Sequence, residues 1–214
     1  MRFQDRRHAG QVLFGLLRGL AGQDCTVLAV PNGGVPVGIE LANGLGAPLG
    51  VEIVRKLQIP GNPEAGFGAV TSRGDVILNQ MLVKALRLGP EQVRGIAAAT
   101  MREITRRKAL FGSPEQAIEG RTVILTDDGL ASGFTMVAAA RSVRRRGPKK
   151  VIVAVPTAPQ SSVARVEKVA DRVACPDIRR TLCFAVADAY EDWYDLTTED
   201  AAELFREWQS TNNP

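Results

Sequence analysis

Apolar positions Val12, Leu13, Leu16, Leu17 and Leu20 recur at helical spacing and Gly22 follows as a stop, so the chain opens with a predicted amphipathic helix. Residues 26–30, TVLAV, have no polar face and predict a short buried strand. PNGG at 31–34 breaks that strand, and 35–45 reads as a helix that tolerates Pro36 in its first turn. VEIV at 51–54 predicts the next strand, ending at Arg55 and Lys56. The following PGNPEAGFG is rich in turn formers, and SRGD at 72–75 sits between two β-favouring runs as a hairpin turn would. This stretch predicts an excursion from the main sheet.

Residues 90–111 begin with Pro90 and Glu91 after Gly89, carry Val93, Ile96, Ala97, Met101, Ile104 and Leu110, and close at Gly112. That pattern predicts one long amphipathic helix, with Arg102, Arg106, Arg107 and Lys108 on its other face. TVILT at 122–126 and VIVAVP at 151–156 are apolar on both faces, as in a parallel sheet covered on both sides. Helices are predicted at 134–146 and 161–170, and short strands near 172–174 and 182–186. Arg144, Arg145 and Arg146 fall in the last turn of the first of these helices, where the helix dipole favours cations. Strands alternating with helices give an α/β fold, with a mostly parallel twisted sheet flanked by helices. Ligands of such sheets bind at the carboxyl ends of the strands. The whole of 1–214 is expected to form one domain, with 66–115 inserted as a hairpin plus long helix. AYEDWYDLTTEDAAELFREW at 189–208 is aromatic and acidic and is expected to pack over the sheet's edge or mouth, as part of a small C-terminal hood from about 176 to 214.

Composition narrows the chemistry. With 45% hydrophobic and 23% charged residues the chain is ordinary for a globular protein, neither disordered nor membrane-inserted. No apolar run approaches the roughly 20 residues of a membrane span and the N-terminus is charged, which makes the cytoplasm the expected location. Cys25, Cys175 and Cys183 are odd in number and lack CxxC spacing, so they read as core residues and not as disulfide or zinc ligands. His8 is the only histidine, which rules out a histidine metal cluster and leaves any Ser-His-Asp or Cys-His pair dependent on it. The net charge of +4 suits phosphorylated small molecules at least as well as nucleic acid.

Several phosphate motifs are missing. There is no GK[ST] for a Walker loop, and GLGAPLG at 44–50 has the wrong spacing and precedes a strand instead of opening a helix. Ser132 lacks the GxSxG of a nucleophile elbow. What remains is VILTDDGLASGFTM at 123–136, where a buried strand ends in Asp127 and Asp128 and a small-residue loop leads into a helix. Free backbone N–H groups and the hydroxyls of Ser132 and Thr135 converge there at a helix N-terminus, the natural seat of a phosphate. Two carboxylates beside it could accept hydrogen bonds from vicinal hydroxyls or sit near a divalent cation. Diol plus phosphate describes a ribose 5-phosphate. The plainer reading is a capped strand-to-helix turn with solvated acids.

TVILTDDGLASGFTM closely resembles the signature of the type I phosphoribosyltransferases, and a similar organisation extends from Phe3 to about Trp193, with VRKLQIPGNPEAGFGAV at 54–70 as a further shared-looking element. The resemblance implies that catalytic Asp127 and Asp128 face the ribose hydroxyls of 5-phosphoribosyl 1-pyrophosphate (PRPP). It implies that Gly129, Leu130, Ala131, Ser132, Gly133, Phe134 and Thr135 cradle the 5-phosphate. Asn32, Gly33 and Gly34 then form the pyrophosphate loop, which in the family often holds a non-proline cis peptide, and Arg55 and Lys56 are the cations facing pyrophosphate. It further implies Mg²⁺ held near Asp127 and Asp128 through PRPP or water, with no direct protein metal site, and a place in nucleotide metabolism. A mobile cover at 66–115, a hood after the last strand and a homodimer complete the expectation.

Arg106 or Lys108 could reach the pyrophosphate from that cover, or lie on a solvated face. Tyr190, Trp193 and Tyr194 could stack on the acceptor, although packing of the chain end is the better reading. Ala131 stands where the hypoxanthine-guanine type has a base-contacting aspartate, which disfavours a 6-oxopurine without establishing adenine. Ser132 keeps the hydroxyl of the commoner threonine, and Phe134 replaces a small residue or lysine. The acceptor is not identified. Two rivals share the sugar-phosphate loop: a PRPP-binding regulator without transferase activity, its basic clusters free for nucleic acid, and a ribose-phosphate pyrophosphokinase, for which the chain is short. Nucleic acid is not an expected partner, since no binding module is visible and the helix dipole accounts for the arginine run at 144–146.

Overall fold

The computed structural model describes residues 1–112, 115–180 and 184–212, and, within that range, all side chains but those of Pro63 and Glu64. Helix α1 (Arg6–Leu17) leads into β1 (Cys25–Ala29), α2 (Gly34–Leu45) and β2 (Leu49–Val51). An antiparallel unit follows, made of β3 (Val54–Ile59), β4 (Asn62–Thr71) and β5 (Val76–Leu78), then α3 (Gln80–Ala85) and α4 (Pro90–Phe111). The chain returns through β6 (Thr122–Thr126), α5 (Phe134–Arg144), β7 (Lys150–Ala154), β8 (Thr157–Pro159), α6 (Gln160–Val166), β9 (Arg172–Ala174) and β10 (Asp177–Arg179). Helix α7 (Thr198–Asn212) closes it.

Five strands form the central sheet in the order β2-β1-β6-β7-β9, and every neighbouring pair is parallel. Because side chains alternate along a strand, the sheet feeds two cores. Val27, Ala29, Ile124 and Ile152 pack with α1, α2, α4 and α7 on one face, while Leu28, Leu125, Val151 and Val153 pack with α5 and α6 on the other. The two-face apolar runs predicted at 122–126 and 151–156 are thus the centre of the sheet. β1 pairs with β6 in direct register, Ala29 opposite Thr126, so both strands end at one level. The helices that follow them lie on opposite faces, and the two loops are left side by side.

The excursion is a three-stranded antiparallel sheet, β3-β4-β5. Its two turns use glycine where the backbone is left-handed, Gly61 at φ +78° and Gly74 at φ +85°; the second lies in the predicted SRGD turn. The single strand expected at 51–54 is divided: β2 ends at Val51, and Val54 pairs with Thr71 in the second sheet. Between them Glu52 N–H still donates to Ala29 O at 2.9 Å, while its buried carboxylate lies 3.6 Å from Arg146. Helix α4 matches the expected bounds, with Pro90 in its first turn and Gly112 at φ +56° beyond its end. The helix α3 was not expected; its signal is Asn79, whose side chain caps Leu82 N–H. The expected helix at 134–146 stops at Arg144, and that at 161–170 runs over Gln160–Val166. The strand expected at 182–186 falls partly outside the described residues, and Val186 begins a short 3-10 turn. Cys25 is buried and Cys175 half-buried, both as free thiols, and Cys183 lies outside the described residues. Among the described residues no helix is long and apolar enough to cross a membrane.

Helix α4 is anchored at its C-terminal half, where Ile104 and Phe111 are buried and Phe111 meets Phe205 of α7 edge-on, with ring centroids 6.0 Å apart. Phe111→Ala is therefore expected to cost about 3–5 kcal/mol in urea unfolding. Met81→Ala, at a side chain in a residue that is 84% exposed, should stay within about 0.5 kcal/mol. A Phe111→Ala loss as small as that of Met81→Ala would contradict the anchoring.

Candidate active site

The loops after β1 and β6 touch because glycine leaves room for it. Val30 N–H donates to Thr126 O at 2.8 Å, which continues the strand pairing into the loops. A Cβ on Gly34 would lie 2.8 Å from Thr126 O and 3.0 Å from Asp127 Cα, and one on Gly33 would overlap the Asp128 carboxylate. The Gly34 contacts are with backbone and cannot be relieved without moving the loop, whereas the Gly33 contact is with the Asp128 side chain. The Pro31–Asn32 peptide bond is cis, the feature that the resemblance implies for this loop. Sequence reasoning placed these two loops in one site, and the structure brings them into contact.

The two acids have different surroundings. Asp127 Oδ1 accepts the N–H of Asp128 at 2.8 Å, and burial together with the neighbouring Asp128 charge pushes its pKa well above the usual carboxylate range. Asp128 Oδ2 accepts from Arg6 Nε at 2.9 Å; burial pushes its pKa up against the pull of that guanidinium. Arg6 itself is only 4% exposed. Its Nη1 donates to Tyr194 O at 2.9 Å, and its guanidinium lies 4.1 Å from the Trp193 ring, 5.3 Å from Tyr194 and 6.0 Å from Tyr190. Tyr190 OH donates to the backbone O of Asp128 at 2.6 Å, and burial and the Asp128 charge raise its pKa, so the phenol keeps its proton. The aromatic trio thus surrounds Arg6. Tyr190 is buried, Trp193 half-buried and Tyr194 exposed.

Arg6 escaped sequence reasoning. Its one local signal is a cation in the first turn of a helix, where the dipole disfavours it unless a carboxylate lies close by.

The loop from Gly129 to the start of α5 is held from outside. Leu130 N–H donates to Thr157 O at 3.0 Å, Ser162 Oγ donates to Ala131 O at 2.6 Å, and Arg165 donates to Ser132 O while stacking 4.6 Å over the Phe134 ring. Gly129 lies against Val186 and Thr157, where a Cβ would come within 2.7 Å of the valine. Gly133, at φ +76°, caps α5. A cavity of about 400 Å³ opens over this loop, and its lining includes Lys56, Asp127, Ala131, Gly133, Phe134 and Thr135. Helix N-terminal amides, a lysine and a carboxylate therefore share one space, an arrangement able to hold a phosphate beside hydroxyl groups.

Arg55 and Asn32 are placed less simply. Arg55 turns toward α4, with Nη2 3.9 Å from Glu103 and a buried Nε that has no partner among the described residues. The Asn32 side chain is committed: Oδ1 accepts from Arg107 Nη1 at 3.0 Å, and Nδ2 donates to Leu196 O at 2.9 Å. The cation of α4 that meets this site is therefore Arg107; Arg106 and Lys108 are exposed. Helical periodicity contained that answer, since Arg107 lies three residues after buried Ile104 and four before buried Phe111. Among the described residues no three His, Cys, Asp or Glu side chains converge to hold a metal ion.

The match to known proteins agrees with this geometry. Residues 6–189 match the family described as the phosphoribosyl transferase domain. Two Mycobacterium tuberculosis proteins, from strains CDC 1551 and H37Rv and provisionally named phosphoribosyl transferases, are 38% identical over 205 residues. The match takes in 95% of this chain and 46% of theirs, so the chain spans about half the length of these curated relatives. The crystal structure of TT1426 from Thermus thermophilus is 38% identical, with a TM-score of 0.79 over 97% of this chain and 99% of that one. The Aquifex aeolicus protein AQ2163, at 12% identity, 81% and 74% coverage and a TM-score of 0.50, shares the fold. With 184 consecutive positions, 6 through 189, inside the family match, the chain belongs to the phosphoribosyl transferase domain family.

Proposed function

We propose that this chain transfers the 5-phosphoribosyl group of PRPP to a nitrogen nucleophile. The observation that carries the reading is a cavity lined by the helix-tip loop, Asp127 and Lys56, next to the place where a glycine loop meets the acid pair at the ends of two paired strands. The 5-phosphate sits on the amides of 129–135, Asp127 accepts from the ribose hydroxyls, and the amides of 32–34 with Lys56 face the diphosphate group. The nucleophile forms its bond to C1 from the face opposite the leaving group, and the C1–O bond breaks with inversion. Both electrons of that bond depart with pyrophosphate, and the nitrogen afterwards gives its proton to solvent.

Positive charge develops on the sugar ring as negative charge grows on the diphosphate, so fixed donors on the leaving group and a carboxylate near the ring both lower the barrier. The donor chemistry fits a magnesium ion carried in on PRPP and held near Asp127 and Asp128 through PRPP or water. When bound, such an ion neutralises charge on the leaving group. Arg6 keeps Asp128 oriented, and α4 with the β3-β4-β5 sheet serves as a cover that excludes water from the reacting centre. The segment from about 176 onward serves as the hood.

PRPP with Mg²⁺ at about 100 times its Kd is expected to add roughly 2.7 kcal/mol to stability, read as a rise in melting temperature. The double substitution Asp127→Asn and Asp128→Asn should abolish that rise, and an absent rise in the unmutated protein would sink the assignment. Gly33→Ala, which drives a methyl group into the Asp128 carboxylate, should weaken PRPP binding by roughly tenfold or more in the same assay. Unchanged binding would show that the two loops need not touch. A screen of bases and small amines for PRPP-dependent pyrophosphate release identifies the acceptor; binding with no release across the panel assigns the site to a PRPP-binding regulator.

A further inference from the structure

Helix α6 packs beside the loop after β6 and holds it at two consecutive carbonyls. Ser162, itself buried, donates from Oγ to Ala131 O at 2.6 Å, and Arg165 Nη1 donates to Ser132 O. A peptide unit is planar and trans, so its C=O and the N–H that follows point in opposite directions. Fixing the carbonyls of Ala131 and Ser132 on α6 therefore turns the N–H groups of Ser132 and Gly133 away from that helix. Both residues line the cavity, and among the described residues no group accepts from either N–H. The two segments are close enough that a Cβ on Gly133 would lie 3.3 Å from Ser162 Cβ. The Arg165 guanidinium is half-buried and stacks 4.6 Å over the ring of Phe134, the first residue of α5 and another that lines the cavity.

Two adjacent N–H groups at the positive end of a helix dipole hold an anion well only while the loop keeps this shape. The Phe134 ring confines the guanidinium through a cation–π contact, and a cation on a peptide oxygen adds positive charge beside the loop. We infer that Arg165 is a positioning residue for the phosphate held by the 129–135 loop, acting through Ser132 and Phe134, with Ser162 as its uncharged companion. The inference rests on the phosphoribosyl-transfer reading above. It adds a separate claim, that part of the loop's affinity for phosphate comes from a side chain 33 positions further along the chain. The two braces differ in kind. Ser162 contributes orientation alone, whereas Arg165 contributes orientation and charge, and at a half-exposed position charge is screened by salt while orientation is not.

The test uses the full chain at fixed Mg²⁺, with ribose 5-phosphate as one probe and inorganic pyrophosphate as the other, both titrated by calorimetry at low and high salt. Arg165→Met is expected to weaken ribose 5-phosphate binding by roughly fivefold or more, with pyrophosphate within about twofold of the unmutated protein. The gap between Arg165→Met and the unmutated protein should narrow as salt rises, which a merely structural loosening of the loop would not do. Arg165→Lys, which keeps the charge and loses the fork, should recover part of the loss. Ribose 5-phosphate binding unchanged in Arg165→Met, an equal loss for both probes, a gap that salt leaves untouched, or Arg165→Lys as weak as Arg165→Met overturns the inference and leaves the transfer reading in place. If the unmutated protein binds only one probe or neither, the transfer reading itself fails. Should Arg165→Met fail to fold, Ser162→Ala decides: a loss of roughly twofold or more confined to ribose 5-phosphate supports the bracing by α6, and no change overturns it.

Discussion

The site depends on one packing constraint: two loops that leave the sheet from paired strands must lie against each other with no side chain between them. The β1–β6 register brings Ala29 level with Thr126, and Gly33 and Gly34 then let the first loop close on Asp127 and Asp128. Everything chemical follows from that contact. It sets a backbone-lined loop next to two carboxylates, at the point where one following helix goes to each face of the sheet, the usual position for a ligand in an open α/β sheet.

Two half-buried carboxylates side by side repel each other and lose hydration, so a counter-charge stabilises them. Arg6 supplies it from α1, and the ring cage of Tyr190, Trp193 and Tyr194 supplies its packing. Phe3 pairs with Tyr190 as an isolated bridge and donates its N–H to Ala189 O at 2.7 Å. The first residues of the chain and the segment after residue 185 are thereby joined over the acid pair. Asp128 is held, while Asp127 lines the open cavity.

Much of this was legible in the sequence because it is encoded locally. Pro90 and Gly112 mark the ends of α4, and the acid pair follows a strand with no polar face and precedes a helix. The rest is set by tertiary contacts. Nothing in the run 51–54 tells which sheet each residue joins, because both sheets bury valine; the pairing of Val54 with Thr71 decides it. Arg6 meets Asp128 across 122 positions of sequence. The choice of Arg107 over Arg106 is a rotation of about 100° on a helix, and it was readable from Ile104 and Phe111 once those are taken as the inward stripe. The aromatic trio was readable as aromatic, but its partner, a buried guanidinium, was not.

Phosphorus NMR of PRPP titrated with the protein in the presence of Mg²⁺ reports on both halves of the site at once. If the helix-tip loop and the glycine loop serve one substrate, the 5-phosphate resonance and both diphosphate resonances shift together along a single binding curve. A shift confined to the 5-phosphate, with the diphosphate resonances unmoved, would contradict that claim.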